Sequence, residues 1–414
     1  MELENHASLI VVGGGPSGLR AAEVAAEAGM RVELHERNPY PGRKFLVAGR
    51  GGLNLTNSED RGSFSKRYQG SFCHNFWTSL LEDFDQTSLR RWAEDLSITT
   101  FVGSSGRVFP DEKKAAPLLR AWISRLKTLG VDIRSRSKLT AWERQNDRFI
   151  LTFQTPEGTL MRHAKAVLFA LGGASWPQTG SDAAWISSFH SHGIPFKGFE
   201  SANCGWEHDW NPDIIPQIEG RPLKNLAMTV GDETLRGELL ITRYGLEGGL
   251  LYQFGHRLRK MQSPEIHIDF KPDFSLQSLL AKLPSLNPEN PKKFLRSWKV
   301  SETACHLILN LLFSSQDTPP VQNRMDPGTV ARLVKDFPLA LTRPRPIAEA
   351  ISSAGGVEAS ALDDSLMVRK FPGLFLAGEM LDWEAPTGGY LLQGCFSTAT
   401  RAAAAAVTYL KQQN

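Results

Sequence analysis

Cysteine is scarce in this chain and thinly spread. Cys73, Cys204, Cys305 and Cys395 are the only four in 414 residues and form no CxxC, which leaves neither a zinc ribbon nor a disulfide framework to read. The ten histidines show no clustering at metal-ligand spacing, so no metal is expected. No apolar run reaches membrane-span length, and the opening MELENHASLIVVGGG is acidic with a short apolar core, unlike a signal peptide. Net charge is only +3, from 47 basic and 44 acidic side chains, too slight an excess to argue for nucleic acid by itself. No G-x-S-x-G nucleophile elbow occurs. What remains is the expectation of a soluble protein of the reducing cytoplasm, long enough for two or three domains.

Glycine, by contrast, is placed with purpose. Ser8 to Val12, SLIVV, suits a buried parallel strand. Gly13-Gly14-Gly15-Pro16-Ser17-Gly18 follows and fits G-x-G-x-x-G, then comes an alanine-rich helical stretch closed by Gly29. A second strand, RVELHE, ends in Glu36. Gly13 permits the tight turn, Gly15 lets backbone approach a pyrophosphate, and Gly18 lets helix pack on strand. The helix N-terminus, opened by Pro16 and followed by Ser17, offers unpaired N–H groups beyond the proline to phosphates, and Glu36 accepts from ribose hydroxyls. An acid there prefers a free 2′-hydroxyl, favouring NAD or FAD over NADP.

After Glu36-Arg37 the chain runs into GRKFLVAGRGGLNLTN, Gly42 to Asn57, read as a loop too glycine-rich and polar for a helix or buried strand. It can lie against an extended cofactor. Gly49, Gly51 and Gly52 let amides approach, and Arg43, Lys44 and Arg50 offset pyrophosphate charge. Asn54, Thr56 and Asn57 can bond a ribityl chain or a flavin edge. The plainer reading is a flexible basic surface loop. Two later stretches favour the first. AVLFALGGASWPQTG is a buried-type strand ending in Gly172-Gly173, and FPGLFLAGEMLDWEAPTGGYLLQGCF carries Gly378, Glu379 and Asp382 before a glycine loop and an alanine-rich helix. An acid after a strand, then amides at a helix start, suit the ribitol and pyrimidine edge of FAD. Alone, Glu379 and Asp382 would read as surface acids or caps.

These glycine-rich returns span the chain, implying an α/β, Rossmann-like, discontinuous FAD-binding domain over 1–195 and 342–414. The intervening 196–270 has short apolar runs between turns, a β-rich insert, and 271–341 has three- and four-residue apolar spacing, a small helical insert. Asn290-Pro291 reads as a helix cap and first-turn proline.

With these motifs in order, the chain resembles the YhiN/BaiN-like family of FAD-dependent oxidoreductases, which share a two-dinucleotide-binding-domain flavoprotein fold. The resemblance rests on VVGGGPSGLRAA, PGRKFLVAGRGGLNLTN, GRVFP, ALGGASWPQTG, GELLITRYGLEGG, AGGV and GLFLAGEMLDWEAPTGGYLLQ. It implies a reductase that uses NAD(P)H as a transient electron donor to saturate a conjugated C=C bond, in a ribosomal RNA uridine or a steroid enone. The chain also departs from the family. Leu53 stands where a cysteine is common, Arg243 where a histidine is, Glu247-Gly248-Gly249 replaces a Ser-Gly-Pro type ending, and Gly388-Gly389-Tyr390 is followed by Leu391 instead of asparagine. Backbone contacts carry cofactor binding through these changes; the substrate does not carry over.

Reducing a C=C bond needs hydride on one carbon and a proton on the other. Arg243, Tyr244, Tyr390 and Cys395 are the candidates for proton delivery. Each has a plainer role: Tyr390 packing on the cofactor, Cys395 as a small buried hydrophobe, Arg243 and Tyr244 tying the insert to a loop. A single GxGxxG leaves NAD(P)H no Rossmann unit of its own, so it is expected to share the substrate cleft. The alternative is an RNA-binding or regulatory flavoprotein, suggested by the basic NPKKFLRSWK, Asn290 to Lys299, and Trp176, Trp185, Trp206 and Trp210. The small-molecule or RNA nature of the substrate stays open.

Overall fold

The computed structural model describes residues 8–48, 51–281, 291–314 and 326–413. Gly49, Arg50, Asn290 and the first seven residues lie outside this description. The chain divides into two compact units, Met1–Ser201 with Ile347–Asn414, and Ala202–Pro346.

The first unit is built on five parallel strands in the order Leu374–Leu376, Ala166–Phe169, Leu9–Val12, Val32–His35 and Asp132–Arg134. The apolar residues of Leu9–Val12, Ala166–Phe169 and Leu374–Leu376 are buried throughout, which is why these read as short unbroken apolar runs. Helix Pro16–Glu27 and the long helix Tyr390–Gln412 pack together, so the two ends of the chain complete one sheet and its cover. A three-stranded antiparallel sheet, Lys138–Gln145, Arg148–Thr155 and Gly158–Ala164, follows the last parallel strand.

The Gly42 to Asn57 stretch corrects one expectation. It opens with a helical turn, Arg43–Ala48, because its glycines are concentrated in the second half. Phe45 anchors that turn in the core at 2% exposure.

The second unit holds a six-stranded antiparallel sheet, Trp206–Glu207, Gly245–Glu247, Glu233–Thr242, Pro222–Val230, Glu265–Asp269 and Phe337–Ala340. Helices including Glu302–Ser314 and Pro327–Lys335 share its apolar core, which runs from Trp206 to Leu341. Strand and helix stretches are joined there because the sheet needs a cover for its apolar face.

Candidate functional site

Parallel sheets of this kind place ligands outside the carboxyl ends of their strands. Here those ends are Val12, His35 and Phe169, and a cleft of about 400 Å³ opens beside them. The loop after Val12 is shaped by two glycines. Gly13 has φ 106°, and a Cβ there would meet the Ala170 carbonyl; a Cβ at Gly18 would collide with the Gly13 carbonyl. Gly15 instead faces open space. Helix Pro16–Glu27 begins directly behind it, its first intrahelical bond running from Leu19 N–H to Gly15 O at 2.9 Å. The amides of Ser17 and Gly18 therefore lie in the turn that has no intrahelical acceptor.

Glu36 is 6% exposed. Its Oε2 accepts from Gly14 N–H at 2.7 Å, and its Oε1 accepts from the Asn38 backbone and side-chain N–H groups, both at 2.7 Å. A carboxylate has about four lone-pair sites, so one on Oε2 is left without a donor from these groups. Arg37 is committed elsewhere: its guanidinium grips Asp182 through two bonds of 2.8 Å. This pairing raises the Arg37 pKa, and it holds the Asp182 carboxyl low against the opposing effect of burial. Arg43 donates to Asn38 Oδ1 at 3.1 Å. Lys44 donates to Ser175 Oγ at 2.7 Å and to Glu379 at 2.8 Å, leaving its third ammonium N–H for the cleft it lines.

Gly13, Gly15, Pro16, Ser17, Glu36, Arg37, Arg43, Lys44, Gly172, Glu379 and Cys395 all border this cleft. Burial pushes the Cys395 thiol up to about 12, with the Glu379 charge adding to it, so the thiol is neutral near neutral pH. Gly173 and Gly378 are packing positions, where a Cβ would meet Ser353 Oγ and Ser17 Oγ respectively. Gly51 is exposed.

A second group of anticipated residues gathers at the start of helix Tyr390–Gln412. The Asn54 amide, turned as its neighbours require, gives its nitrogen to the Thr56 and Val108 carbonyls and accepts from Gly389 N–H at 3.3 Å. Thr56 donates to Gln393 at 2.8 Å and Asn57 to Gly388 O at 3.3 Å. Gly52 lies beside Phe109 and Lys113, and Leu391 follows Tyr390 in the first helical turn. The Tyr390 hydroxyl donates to Glu59 at 2.8 Å, and Arg67 binds the same carboxylate at 2.6 and 3.0 Å. Burial and the Glu59 charge raise the Tyr390 pKa. Asp382 is buried, which raises its pKa, and its backbone pairs with Val357 and Ser71.

Arg243 and Tyr244 belong to the second unit, at the turn between Glu233–Thr242 and Gly245–Glu247. Arg243 is exposed. The Tyr244 hydroxyl donates to Glu247, and the Arg345 guanidinium lies 4.3 Å from the Tyr244 ring centroid. In helix Pro291–Ser297, Phe294 is buried, as is Trp298 just beyond it, while Lys292, Lys293 and Arg296 are exposed. Trp206 is also buried, and Trp185 and Trp210 donate to the Gly172 and Thr242 carbonyls.

Sequence reasoning passed over Asn38, Trp142, Ser181 and Asp182. Asp182 closes on Arg37 across 145 positions, a separation no local pattern reveals. Ser181, after Gly180, had a usable signal as a polar residue in a glycine turn. Its Oγ and Trp142 Nε1 are buried in the cleft wall with no hydrogen-bond partner. The donor set as a whole suits a ligand with an anionic middle and hydroxyls and ring nitrogens toward its ends. Among the described residues, no three potential ligands gather for a metal ion, and no helix is long and apolar enough to cross a membrane.

Comparison with known proteins adds an independent line. The family model described as HI0933-like protein Rossmann domain matches residues 7–405. The chain is 26% identical over 420 residues to a 3-dehydro-bile acid delta(4,6)-reductase of Clostridium scindens, covering 96% of this chain and 98% of that protein. It is 24% identical to the ribosomal RNA dihydrouridine synthase of Escherichia coli, covering 94% and 95%. Among solved structures, the 3-ketosteroid-delta4-(5alpha)-dehydrogenase of Rhodococcus jostii matches with TM-score 0.54, 15% identity and 98% of both chains covered. That likeness concerns the fold.

Proposed function

The chain belongs to the HI0933-like Rossmann-domain family, and on that premise we propose that it is an FAD-dependent reductase of a conjugated C=C bond, driven by NAD(P)H. The observation that carries the reading is the cleft at the strand ends. It combines a helix N-terminus, the Lys44 ammonium and a Glu36 carboxylate with a spare lone pair. Such a donor set fits the pyrophosphate and adenosine ribose of FAD. Residues 1–195 and 342–414 would carry the flavin, with 196–270 and 271–341 as strand-rich and helical inserts.

When bound, FAD supplies the hydride chemistry; the chain supplies position, charge and a proton. Ser17 and Gly18 amides and Lys44 would hold the pyrophosphate, with Glu379 and Ser175 aiming the ammonium. Gly388, Gly389 and the first amides of helix Tyr390–Gln412 would face the flavin-side half, steadied by Asn54, Thr56 and Asn57. For the proton we favour Tyr390 over Cys395. Its hydroxyl is held by Glu59 in the neutral, proton-bearing state, and Arg67, 5.9 Å from its ring centroid, can offset the charge left after transfer. Burial and a neighbouring carboxylate oppose ionisation at both groups, Glu59 beside Tyr390 and Glu379 beside Cys395, so the preference rests on the Arg67 guanidinium bound to the Glu59 carboxylate. Arg243 and Tyr244 remain candidates from the insert.

NAD(P)H and acceptor would use one cleft in turn, since the sequence holds a single dinucleotide fingerprint. Initial rates measured against both substrates are expected to give parallel double-reciprocal lines, and mass spectrometry a product two hydrogens heavier. Intersecting lines would remove the shared-cleft mechanism. Failure of every activated C=C acceptor, enone or uridine-containing RNA, to reoxidise the reduced protein would remove the reductase reading.

A further inference from the structure

Strand Arg107–Pro110 borders the start of helix Tyr390–Gln412 and carries side chains that the cofactor contacts leave unused. It pairs with Thr56–Asn57 on one side and Thr100–Val102 on the other. Val108 and Pro110 are buried, so the strand's alternation turns Arg107 and Phe109 to the outer face. Phe101 lies across from Phe109 on that face, the two rings stacked at 5.7 Å. The result is a half-buried, flat apolar wall with a guanidinium beside it. Neighbouring cations are committed: Arg67 binds Glu59, and the Lys113 ammonium lies over the Phe101 and Phe109 rings at 5.5 and 5.9 Å. Arg107 is exposed and, among the described residues, has neither a hydrogen bond nor an ion pair. A Cβ on Gly388 would lie 3.8 Å from Arg107 Nε and 3.3 Å from the Tyr390 ring. Gly388 has φ 123°, a conformation left to glycine. Guanidinium and phenol therefore flank one bare point of backbone, which any side chain would fill.

Saturating a conjugated C=C bond puts hydride on the carbon far from the activating carbonyl. The electron pair of the double bond shifts toward the carbonyl oxygen, which becomes an enolate oxygen, and a proton then completes the other carbon. Tyr390 is the group favoured above for that proton, but no residue yet receives the negative charge. Arginine suits this task and not proton delivery: its guanidinium stays charged at any working pH and presents five N–H donors in a rigid fork. A cation already in place stabilises charge that exists only as the reaction proceeds, and so lowers the barrier. The Phe101–Phe109 wall gives a planar conjugated group a surface to lie against.

We propose that Arg107 binds the carbonyl oxygen conjugated with the acceptor's double bond and holds the negative charge that forms on it, while Tyr390 supplies the proton. The assignment rests on the reductase reading, so its test must separate the two. FAD-loaded full-length chain, wild type, Arg107→Gln and Arg107→Lys, would be titrated with para-nitrophenol. Its phenolate is a flat conjugated oxyanion, and its absorbance reports its ionisation in difference spectra. FAD affinity would be measured alongside by calorimetry.

Wild type is expected to bind the phenolate form and to lower the apparent pKa of the bound phenol. Arg107→Gln should bind it about 10- to 100-fold more weakly, the scale of a charge-assisted bond, with FAD affinity at the wild-type level. Arg107→Lys, which keeps the charge and loses the fork, should recover part of that loss. Unchanged phenolate affinity in Arg107→Gln overturns the assignment while leaving FAD binding intact, as does a flavin-loaded wild type that binds no phenolate. A fall in FAD affinity in Arg107→Gln would move the guanidinium onto the cofactor and overturn it as well. Wild-type chain that takes up no FAD would overturn the flavoprotein reading and this assignment together.

Discussion

Glu36 ties Gly14 and Asn38 into the rim of the cleft through one carboxylate, and on the proposed function its remaining lone pair would accept from a ribose hydroxyl. Glu36→Ala should therefore do more than delete one contact. Flavin affinity is expected to fall about 10- to 100-fold, the scale of a charge-assisted bond, as read by equilibrium dialysis against FAD. Tyr390→Phe should behave differently. It removes the hydroxyl bound to Glu59 but keeps the ring, so flavin content and reduction by NAD(P)H are expected to stay near wild type. Acceptor-dependent reoxidation should slow by about 100-fold, the usual weight of a general acid, in rapid-mixing experiments. Many of the residues that line the cleft were legible one by one, because glycine spacing and a terminal acid are local signals. What stayed hidden were pairings between distant segments: Arg37 with Asp182, Lys44 with Glu379, Tyr390 with Glu59. A sequence pattern shows that a charge is present; only the fold shows what occupies it.

Elements of the first unit are joined by buried carboxylates. Glu23 on helix Pro16–Glu27 is fully buried and receives Arg20 and Arg125 at 3.0 Å, together with the indole N–H groups of Trp92 and Trp122. It thereby connects its own helix with Gln86–Asp95 and Ala115–Thr128. Glu23→Ala would leave two guanidinium groups and two indoles facing a gap, and is expected to cost about 3–5 kcal/mol in denaturant unfolding. Glu23→Gln, which keeps the shape and one acceptor, should cost clearly less.

Glu33 gives a pH-dependent counterpart on strand Val32–His35. Burial alone would raise its pKa, but His35, Arg162 and Arg134 together hold it down to about 2. A depressed carboxylate contributes stability above its ordinary value near 4.5, and loses it as pH falls toward 2. Its full weight is at most about 3 kcal/mol. Arg162→Ala should therefore be less stable than wild type at neutral pH, with the difference shrinking progressively below about pH 4 in thermal melts. A gap that stays constant to pH 2 would show that Arg162 acts by packing instead. At this scale the strands and long helices were legible, because buried parallel strands are short apolar runs and Tyr390–Gln412 is rich in helix-forming alanine. The turn Arg43–Ala48 was not, since neighbouring glycines masked a locally helical segment held by Phe45.

Across the whole chain, the two sequence-distant ends of the first unit meet in one sheet and around one cleft, so its stability and its ligand are coupled. Added FAD is expected to raise the melting temperature, by about 2.7 kcal/mol of stabilisation at a concentration 100 times Kd; FMN, lacking the adenosine half, should give far less. The change in periodicity after residue 195 marks where the strand-rich stretch was expected to begin, whereas the compact units divide after Ser201 and again before Ile347; the shared core of strands and helices in the second unit was not readable, because periodicity identifies an element and not its packing partner. The most direct measurement is anaerobic stopped-flow spectroscopy of the FAD-loaded protein mixed separately with NADH and NADPH. The expected result is bleaching of the visible flavin band by at least one of them within the time of a catalytic turnover. A flavin that remains bound and oxidised with both donors would contradict an NAD(P)H-driven reductase.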